Sequence, residues 1–386
     1  MKRLLVMSHA GVLDVNRAVF QKLAEIADVD VTMIVPEQWK GDLIRDLAYE
    51  KSENDGFIKV IPLPIAMSGN GSLFFYVDRL KKIRQQIQPD FLFLDEEPWS
   101  LAALQAFRVF KDVPKCFFTK QNLKKTVPLP FKISERWVFS ASTFAYAVAG
   151  EVEEVLQWKG YKKDVRILPH SYDPRLFKPL SNEERTRRRD ELGIPREALV
   201  LSYFGRLTEE KGIDELVQAA RDLSSDPRLN HLFFLFVGNG PLRAKAEGIV
   251  AELSEKRAKF CPAIPHSEVG RTLAMTDVLV LPSRTATNWK EQFGRILVEA
   301  MACGAMTVGS DSGEIPHLIR RAGGGVSFPE RNAAALASTL GDLAKNVDKI
   351  REFKESGRRY VEENLTHAAV ARSLAKDLGL RLKAKA

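Results

Sequence analysis

Cysteine and histidine are scarce in this chain, and long apolar runs are missing. Each shortage removes a class of protein. The three cysteines in 386 residues, Cys116, Cys261 and Cys303, lie far apart. Odd in number and without paired spacing, they form neither a disulfide framework nor a zinc pattern, and they fit a reducing cytoplasm. The six histidines show no ligand spacing, so no metal is expected. No apolar run approaches the roughly 18 residues of a membrane span. The basic-then-apolar start, Met1–Met7, is too short for a signal peptide and reads as a first strand. No Gly-x-Gly-x-x-Gly follows a strand, which disfavours a dinucleotide oxidoreductase despite the alternating pattern described below.

What is present is a globular composition, 45% hydrophobic and 28% charged, with a net charge of +8. The length suits two domains. A basic balance suits anionic partners: nucleic acid, a membrane surface or an anionic substrate. The charge run Glu183–Asp190 reads as a solvated helix, so nucleic acid is not an expected partner.

Short apolar segments alternate with helical patterns along most of the chain. In the first half, residues 3–7, 29–35, 57–61, 91–94, 115–119 and 145–148 read as strands, with helices over 16–27 and 74–88. In the second half, residues 199–204, 232–237, 259–262, 278–281 and 306–308 read as strands, with helices over 214–223, 242–253 and 295–303. Such alternation predicts an α/β protein with two Rossmann-like, doubly wound parallel sheets facing a cleft. The turn-rich, proline-bounded stretch 167–174 marks the boundary. We expect domains over 1–172 and 173–366, and a basic C-terminal helix within 367–386 that packs back on the first domain.

The segment Glu291-Gln292-Phe293-Gly294-Arg295-Ile296-Leu297-Val298-Glu299 carries the most chemistry. A helix starting near Gly294 leaves Glu291 in the preceding loop and puts Glu299 in the second turn. The free N–H groups of the helix start lie between them, a ready anion site. Eight helical residues span roughly 12 Å, comparable to a ribose, a diphosphate and a sugar end to end. The pattern therefore reads as a seat for a nucleotide-sugar. After the strand at 199–204, Gly205 permits a sharp turn, Arg206 can fork onto phosphate oxygens and Lys211 adds a point charge. Gly238-Asn239-Gly240-Pro241 closes the next strand, where Gly238 and Gly240 permit close backbone approach to a ligand or serve a plain βα turn, and Ser310–Pro316 is a further candidate wall.

Taken together, Gly205-Arg206…Lys211-Gly212, Gly238-Asn239-Gly240-Pro241 and Glu291-x7-Glu299 running into Ala300-Met301-Ala302-Cys303-Gly304 resemble the donor-binding half of family-four glycosyltransferases, retaining enzymes of the GT-B fold. Leu168-Pro169-His170-Ser171-Tyr172-Asp173 with Phe177 resembles their interdomain linker. The resemblance implies roles. Arg206 and Lys211 would neutralise the donor diphosphate. Glu299 would bind ribose, and Glu291 sugar hydroxyls. Phe293 and Gly294 would present backbone to sugar and phosphate, Arg295 would join the donor-binding set, and the base would lie near Ala263 and Ile264. The nucleotide-sugar is then a co-substrate, and no cofactor or metal is expected, because two cations and a helix start can carry the leaving charge.

The first half departs from that family. Its first βα loop reads Ser8-His9-Ala10-Gly11, leaving Gly11 as the candidate for close backbone approach. Where the family often has Thr-x-His, the chain has Thr119-Lys120-Gln121, and glutamine is no general base. Asp95-Glu96-Glu97 either contacts acceptor hydroxyls or only turns the chain. Lys120, Lys124, Lys125, Lys132 and Arg136 lie near Phe117, Phe118, Phe131 and Trp137 in sequence. They suggest an anionic acceptor or peripheral attachment of a cytoplasmic protein to an anionic membrane that carries a lipid-linked acceptor; solvated lysines around core aromatics would give the same pattern. The expected activity is transfer of a hexose from a UDP- or GDP-linked donor to a hydroxyl of a glycan, glycolipid or small molecule. The alternatives are a nucleotide-sugar epimerase or hydrolase, or a non-catalytic sugar-nucleotide binding module.

Overall fold

A computed structural model describes residues 1–41, 46–77, 79–253 and 257–384. The chain divides into two compact units, Met1–Ser171 with His367–Ala386, and Tyr172–Thr366.

The first unit is built on a seven-stranded parallel sheet. Its strands are β1 (Lys2–Ser8), β2 (Val29–Pro36), β3 (Lys59–Leu63), β4 (Phe91–Asp95), β5 (Lys115–Thr119), β6 (Phe144–Ala147) and β7 (Val165–Ile167). Their order across the sheet is β7-β6-β5-β4-β1-β2-β3. Covered on both faces, the central strands are apolar runs rather than alternating ones: Leu4–Met7 and Leu92–Leu94 are buried throughout. The small-residue face of helix α1 (Leu101–Val109), with Ala102, Ala103 and Ala106, lets it seat closely on this sheet. The helix His367–Asp377 belongs to this unit. Arg166 donates to the Asp377 carbonyl at 2.6 Å, and Lys2 reaches the carbonyls of Leu378 and Gly379 at 3.2 and 3.1 Å.

The second unit is built on a six-stranded parallel sheet: β8 (Leu199–Arg206), β9 (Leu232–Asn239), β10 (Ala258–Cys261), β11 (Val278–Leu281), β12 (Met306–Ser310) and β13 (Gly325–Phe328), in the order β10-β9-β8-β11-β12-β13. In each sheet the order reverses beside the first strand, between β1 and β4 and between β8 and β11. A crevice at the carboxyl ends of the strands is the usual ligand site of such sheets.

Two local expectations change, and two strands were not expected. Residues 74–88 are not one helix: only Leu80–Ile87 is helical, and Phe75–Tyr76 pairs antiparallel with Ile65–Ala66. Phe74 and Tyr76 bury at a spacing of two, which suits extended chain, and Arg79 at φ +74° breaks the run before the helix. The helix over 16–27 begins only at Ala18, after a 3-10 turn at Asp14–Asn16. The short strands β7 and β13 give too few residues for a visible period.

The charge run at 183–190 does structural work. It lies in helix α2 (Asn182–Glu191), capped by Ser181, whose hydroxyl accepts from Glu184 N at 3.2 Å. Two of its arginines turn inward. Asp277 receives Arg185 at 2.7 Å, Arg189 at 2.8 Å, Lys354 at 2.7 Å and the Val200 N–H at 2.9 Å. Burial would raise its pKa, but Lys354, Arg185 and Arg189 outweigh burial and hold it well below the usual carboxylate range. Removing one partner of such a buried set strands the others. Asp277→Ala should therefore lower unfolding free energy by about 3–5 kcal/mol in urea titrations at neutral pH. Since the folded pKa is the depressed one, this contribution is present above the unfolded carboxylate pKa and disappears as pH falls through the folded value. The gap between wild type and variant should narrow in acid.

Candidate active site

The candidate site of the second unit lies where β8, β9, β11 and β12 end. Gly205 and Gly238 face each other in register, as do Arg206 and Asn239. A side-chain carbon on Gly238 would stand 1.9 Å from the Gly205 carbonyl oxygen, so glycine there lets the two strand ends converge. Gly238 is thus explained by strand–strand approach, with no ligand required. Arg206 leaves β8 with nearly half its side chain exposed, 3.7 Å from Glu210.

Lys211 and Glu291, 80 residues apart, meet at 2.8 Å. Both side chains are mostly buried. The Glu291 carboxylate also accepts from Ser283 Oγ at 3.3 Å, and the Lys211 ammonium sits 4.4 Å from the centre of the Trp289 ring. The Glu291 carbonyl accepts from Glu314 N at 3.2 Å, which fixes its loop to the loop after β12. Ser283 and Trp289 were not among the residues expected from sequence. Ser283 was findable in principle, because it sits two residues past the carboxyl end of β11; Trp289 carries no pattern that marks it.

Helix α3 (Arg295–Ala302) starts as the spacing predicts. Gly294 precedes it at φ +81°, a left-handed conformation that glycine takes without strain. Phe293 and Gly294 are buried, so only backbone is available there for a ligand. Arg295 opens the helix, half-buried, and an anion at this end would meet the first-turn N–H groups and the positive end of the dipole.

Glu299 is the anomaly of the site. The residue is only 8% exposed, its carboxylate oxygens keep a narrow contact with solvent, and no hydrogen bond reaches them among the described residues. Burial pushes its pKa up to about 7, against a weaker opposing pull from Arg295 one turn earlier. Ala263 and Ile264 lie in the loop after β10, exposed and half-buried respectively. The structure thus joins Lys211 to Glu291 and Gly205 to Gly238. Neither Arg206 nor Glu299 is joined to that pair by a hydrogen bond or ion pair given by the structure, and Ala263 and Ile264 share with it the carboxyl-end side of one sheet.

In the first unit, Gly11 is buried in a 3-10 turn, and a side-chain carbon there would stand 2.5 Å from Met33 Cε and 2.9 Å from Val35 Cγ1. Packing against β2 accounts for that glycine. Gln121 turns its amide oxygen to the Leu123 N–H at 3.3 Å. The basic-aromatic cluster separates: Phe117 and Phe118 are core, Lys120 is paired with Asp95 at 2.5 Å, and Trp137 packs against Phe107. The exposed apolar side chains in this region are Leu129 and Ile133, on the helix Leu129–Ala141 that also carries Lys132 and Arg136.

Glu299 yields a stability prediction. Its folded pKa is raised from 4.5 to about 7, so ionisation costs the fold nothing below the unfolded value. The cost grows as pH rises through that window and is complete above it, about 3 kcal/mol at most. Glu299→Gln should be more stable than wild type at alkaline pH by up to that amount, with the gain vanishing in acid; urea unfolding across pH measures it.

Residues 184–360 match the family described as glycosyl transferases group 1. A D-inositol 3-phosphate glycosyltransferase of Streptomyces bingchenggensis is 25% identical over 279 residues, 70% of this chain and 59% of the relative. The first curated relatives are matched over about half their own length (43%, 59% and 43%). Among solved structures, a sucrose-phosphate synthase from Thermosynechococcus elongatus superposes with a TM-score of 0.72 at 19% identity, over 98% of each chain. Anabaena HepE in complex with UDP superposes with a TM-score of 0.72 at 15% identity, over 98% of this chain and 100% of that one. Such identities speak to the fold alone. With two parallel sheets whose strand orders reverse beside the first strand, the chain has the GT-B fold, and its residues 184–360 match the glycosyl transferases group 1 family.

Proposed function

We propose that the protein is a glycosyltransferase that moves a hexose from a UDP- or GDP-linked donor to a hydroxyl acceptor, with retained configuration and no metal. One observation carries the reading: a carboxylate, Glu299, lies mostly buried and without a hydrogen-bond partner among the described residues, in the second turn of the helix that follows the Glu291 loop. Burying an unpaired carboxylate is unfavourable, and ribose hydroxyls donating to it would relieve that. In this reading the diphosphate lies at the α3 start with Arg206 and Lys211 on its oxygens, where they take up the charge that develops as the nucleotide leaves. Glu291, already an acceptor for Lys211 and Ser283, then receives sugar hydroxyls. UDP in the HepE structure supports the donor class for this fold. A hydrolase or epimerase needs the same donor seat, and product analysis with and without acceptor separates them.

Calorimetric titration with UDP, GDP, ADP and NAD in the absence of metal tests the donor seat. One nucleoside diphosphate should bind, and Glu299→Ala should weaken it by roughly 10- to 100-fold, the loss of one or two hydrogen bonds to a charged group. Wild-type affinity should rise as pH passes upward through about 7, because the ligand favours the ionised Glu299. Binding of NAD alone, or an affinity indifferent to Glu299, would defeat the reading.

We further propose that the acceptor is carried on an anionic membrane, with Leu129 and Ile133, one helical turn apart, entering the headgroup layer beside Lys132 and Arg136. Co-sedimentation with phosphatidylglycerol vesicles should fall several-fold for Leu129→Asp/Ile133→Asp. Equal sedimentation of wild type and variant would remove the membrane from the account.

A further inference from the structure

The three carboxylates at the end of β4 in the first unit are met from within the chain. Asp95 accepts from Ser8 Oγ at 2.7 Å and Lys120 Nζ at 2.5 Å, Glu97 accepts from Thr119 Oγ1 at 2.5 Å, and Glu96 meets the His9 N–H and the His9 ring nitrogen Nδ1, both at 2.6 Å. Lys159 is closed in the same way. Its ammonium stands 2.5 Å from Glu135 and 4.4 Å from the centre of the Trp99 ring, and the Lys159 and Glu135 side chains are only 5% and 7% exposed. Lys211 repeats this arrangement in the second unit, between Glu291 at 2.8 Å and the Trp289 ring at 4.4 Å, but the Lys211 and Glu291 side chains keep 16% and 14% exposure. A lysine sealed off between a carboxylate and a ring ties elements together, whereas Lys211 stays within reach of a ligand.

The Trp289 ring is held in place by its loop. Gly212 follows Lys211 at φ +69°, and a side-chain carbon on it would stand 1.8 Å from the Pro282 carbonyl oxygen, so the turn that carries Lys211 lies directly on the chain leaving β11. That chain then doubles back. The Ala286 N–H donates to the Trp289 carbonyl at 2.8 Å, and the Trp289 N–H to the Ala286 carbonyl at 3.3 Å. Before this hairpin, Arg284 grips the Glu215 carboxylate with Nε at 2.7 Å and Nη2 at 2.6 Å, and its N–H donates to the carbonyl of Glu210, the neighbour of Lys211, at 2.8 Å. The Thr285 N–H donates to Glu330, and Arg331 donates to the Thr285 carbonyl at 2.8 Å. The half-buried Trp289 is thus anchored to the loops after β8 and β13, and it is the only tryptophan between residues 172 and 366.

An ammonium has three N–H donors and no acceptor. Lys211 spends one on Glu291 Oε2, and the indole face attracts the cation without supplying a conventional hydrogen-bond acceptor. We propose that Trp289 is a positioning residue of the donor site: its ring holds the Lys211 ammonium beside Glu291 and leaves the remaining N–H groups for a phosphate oxygen. The inference rests on the nucleotide-sugar reading of that site. The ring acts through Lys211 and needs no contact with the nucleotide. It takes the place of water on one side of the ammonium and restricts the long lysine side chain before the ligand arrives, so less ordering is left for binding to supply.

Calorimetry with UDP, GDP and ADP on the full chain tests this through a double-mutant cycle. Trp289→Leu, which keeps apolar bulk, should weaken the nucleoside diphosphate that wild type binds by about 3- to 30-fold, the range of a cation–π contact. Trp289→Phe, which keeps a ring face, should recover most of that loss. In a Lys211→Gln background, where an amide still donates to Glu291, Trp289→Leu should weaken binding by no more than about twofold further. A tryptophan that only shaped the loop would cost the same in both backgrounds. Should the leucine variant not fold, the indole N–H resonance missing from Trp289→Phe spectra identifies Trp289, and in wild type it should move on saturation with the nucleotide. Equal losses in the two backgrounds, wild-type affinity in Trp289→Leu, no recovery with phenylalanine, or an indole resonance indifferent to nucleotide would each overturn the proposal. Wild-type protein that binds none of the three nucleotides would instead overturn the donor reading beneath it.

Discussion

A fully parallel sheet sends all its strands out at one edge, and when the order reverses beside the first strand, two neighbouring loops part and leave a crevice. Both units of this protein obey that constraint, and nearly all the chemistry found follows from it. In the second unit the loop after β8 supplies Arg206 and Lys211, and the loops after β11 and β12 supply Ser283, Glu291 and the support of Glu314. In the first unit the loops after β1 and β4 supply His9 and Glu96. Polar residues at these ends are not accidents of surface composition, since the apolar strands that carry them are buried on both faces.

The two sites handle buried charge in opposite ways. In the first unit each of Asp95, Glu96 and Glu97 has a cation or donor against it, so the network is settled without a ligand. In the second, Lys211 and Glu291 neutralise each other, but Glu299 is left without a partner. An unpaired buried carboxylate is a standing destabilisation. In the proposed reading bound ribose hydroxyls complete it, whereas the buried Asp277 of the same unit is already met by four donors.

Much of this was legible in the sequence, for physical reasons. Buried parallel strands write themselves as apolar runs, so the main strands of both sheets were visible. The α3 helix was visible because its ends are marked, by Gly294 before it and by the apolar face and Gly304 after it. The Lys211–Glu291 contact was not, since nothing in sequence measures a distance across 80 residues. Nor was the contact of Glu96 with His9: a carboxylate after a strand reads alike whether it turns a loop or holds a histidine. Phe75–Tyr76 misled because a short extended pair beside a true helix borrows its period. Phe117 and Phe118 misled because a strand interior and a membrane-facing patch share one composition.

The most direct test of the donor site is a crystal structure of the protein with a nucleoside diphosphate bound and no added metal. The account predicts ribose hydroxyls within hydrogen-bond distance of the Glu299 carboxylate, and diphosphate oxygens at the start of α3 within reach of Arg206 and Lys211. A nucleotide seated elsewhere, or one that leaves Glu299 buried and unpaired, would contradict it.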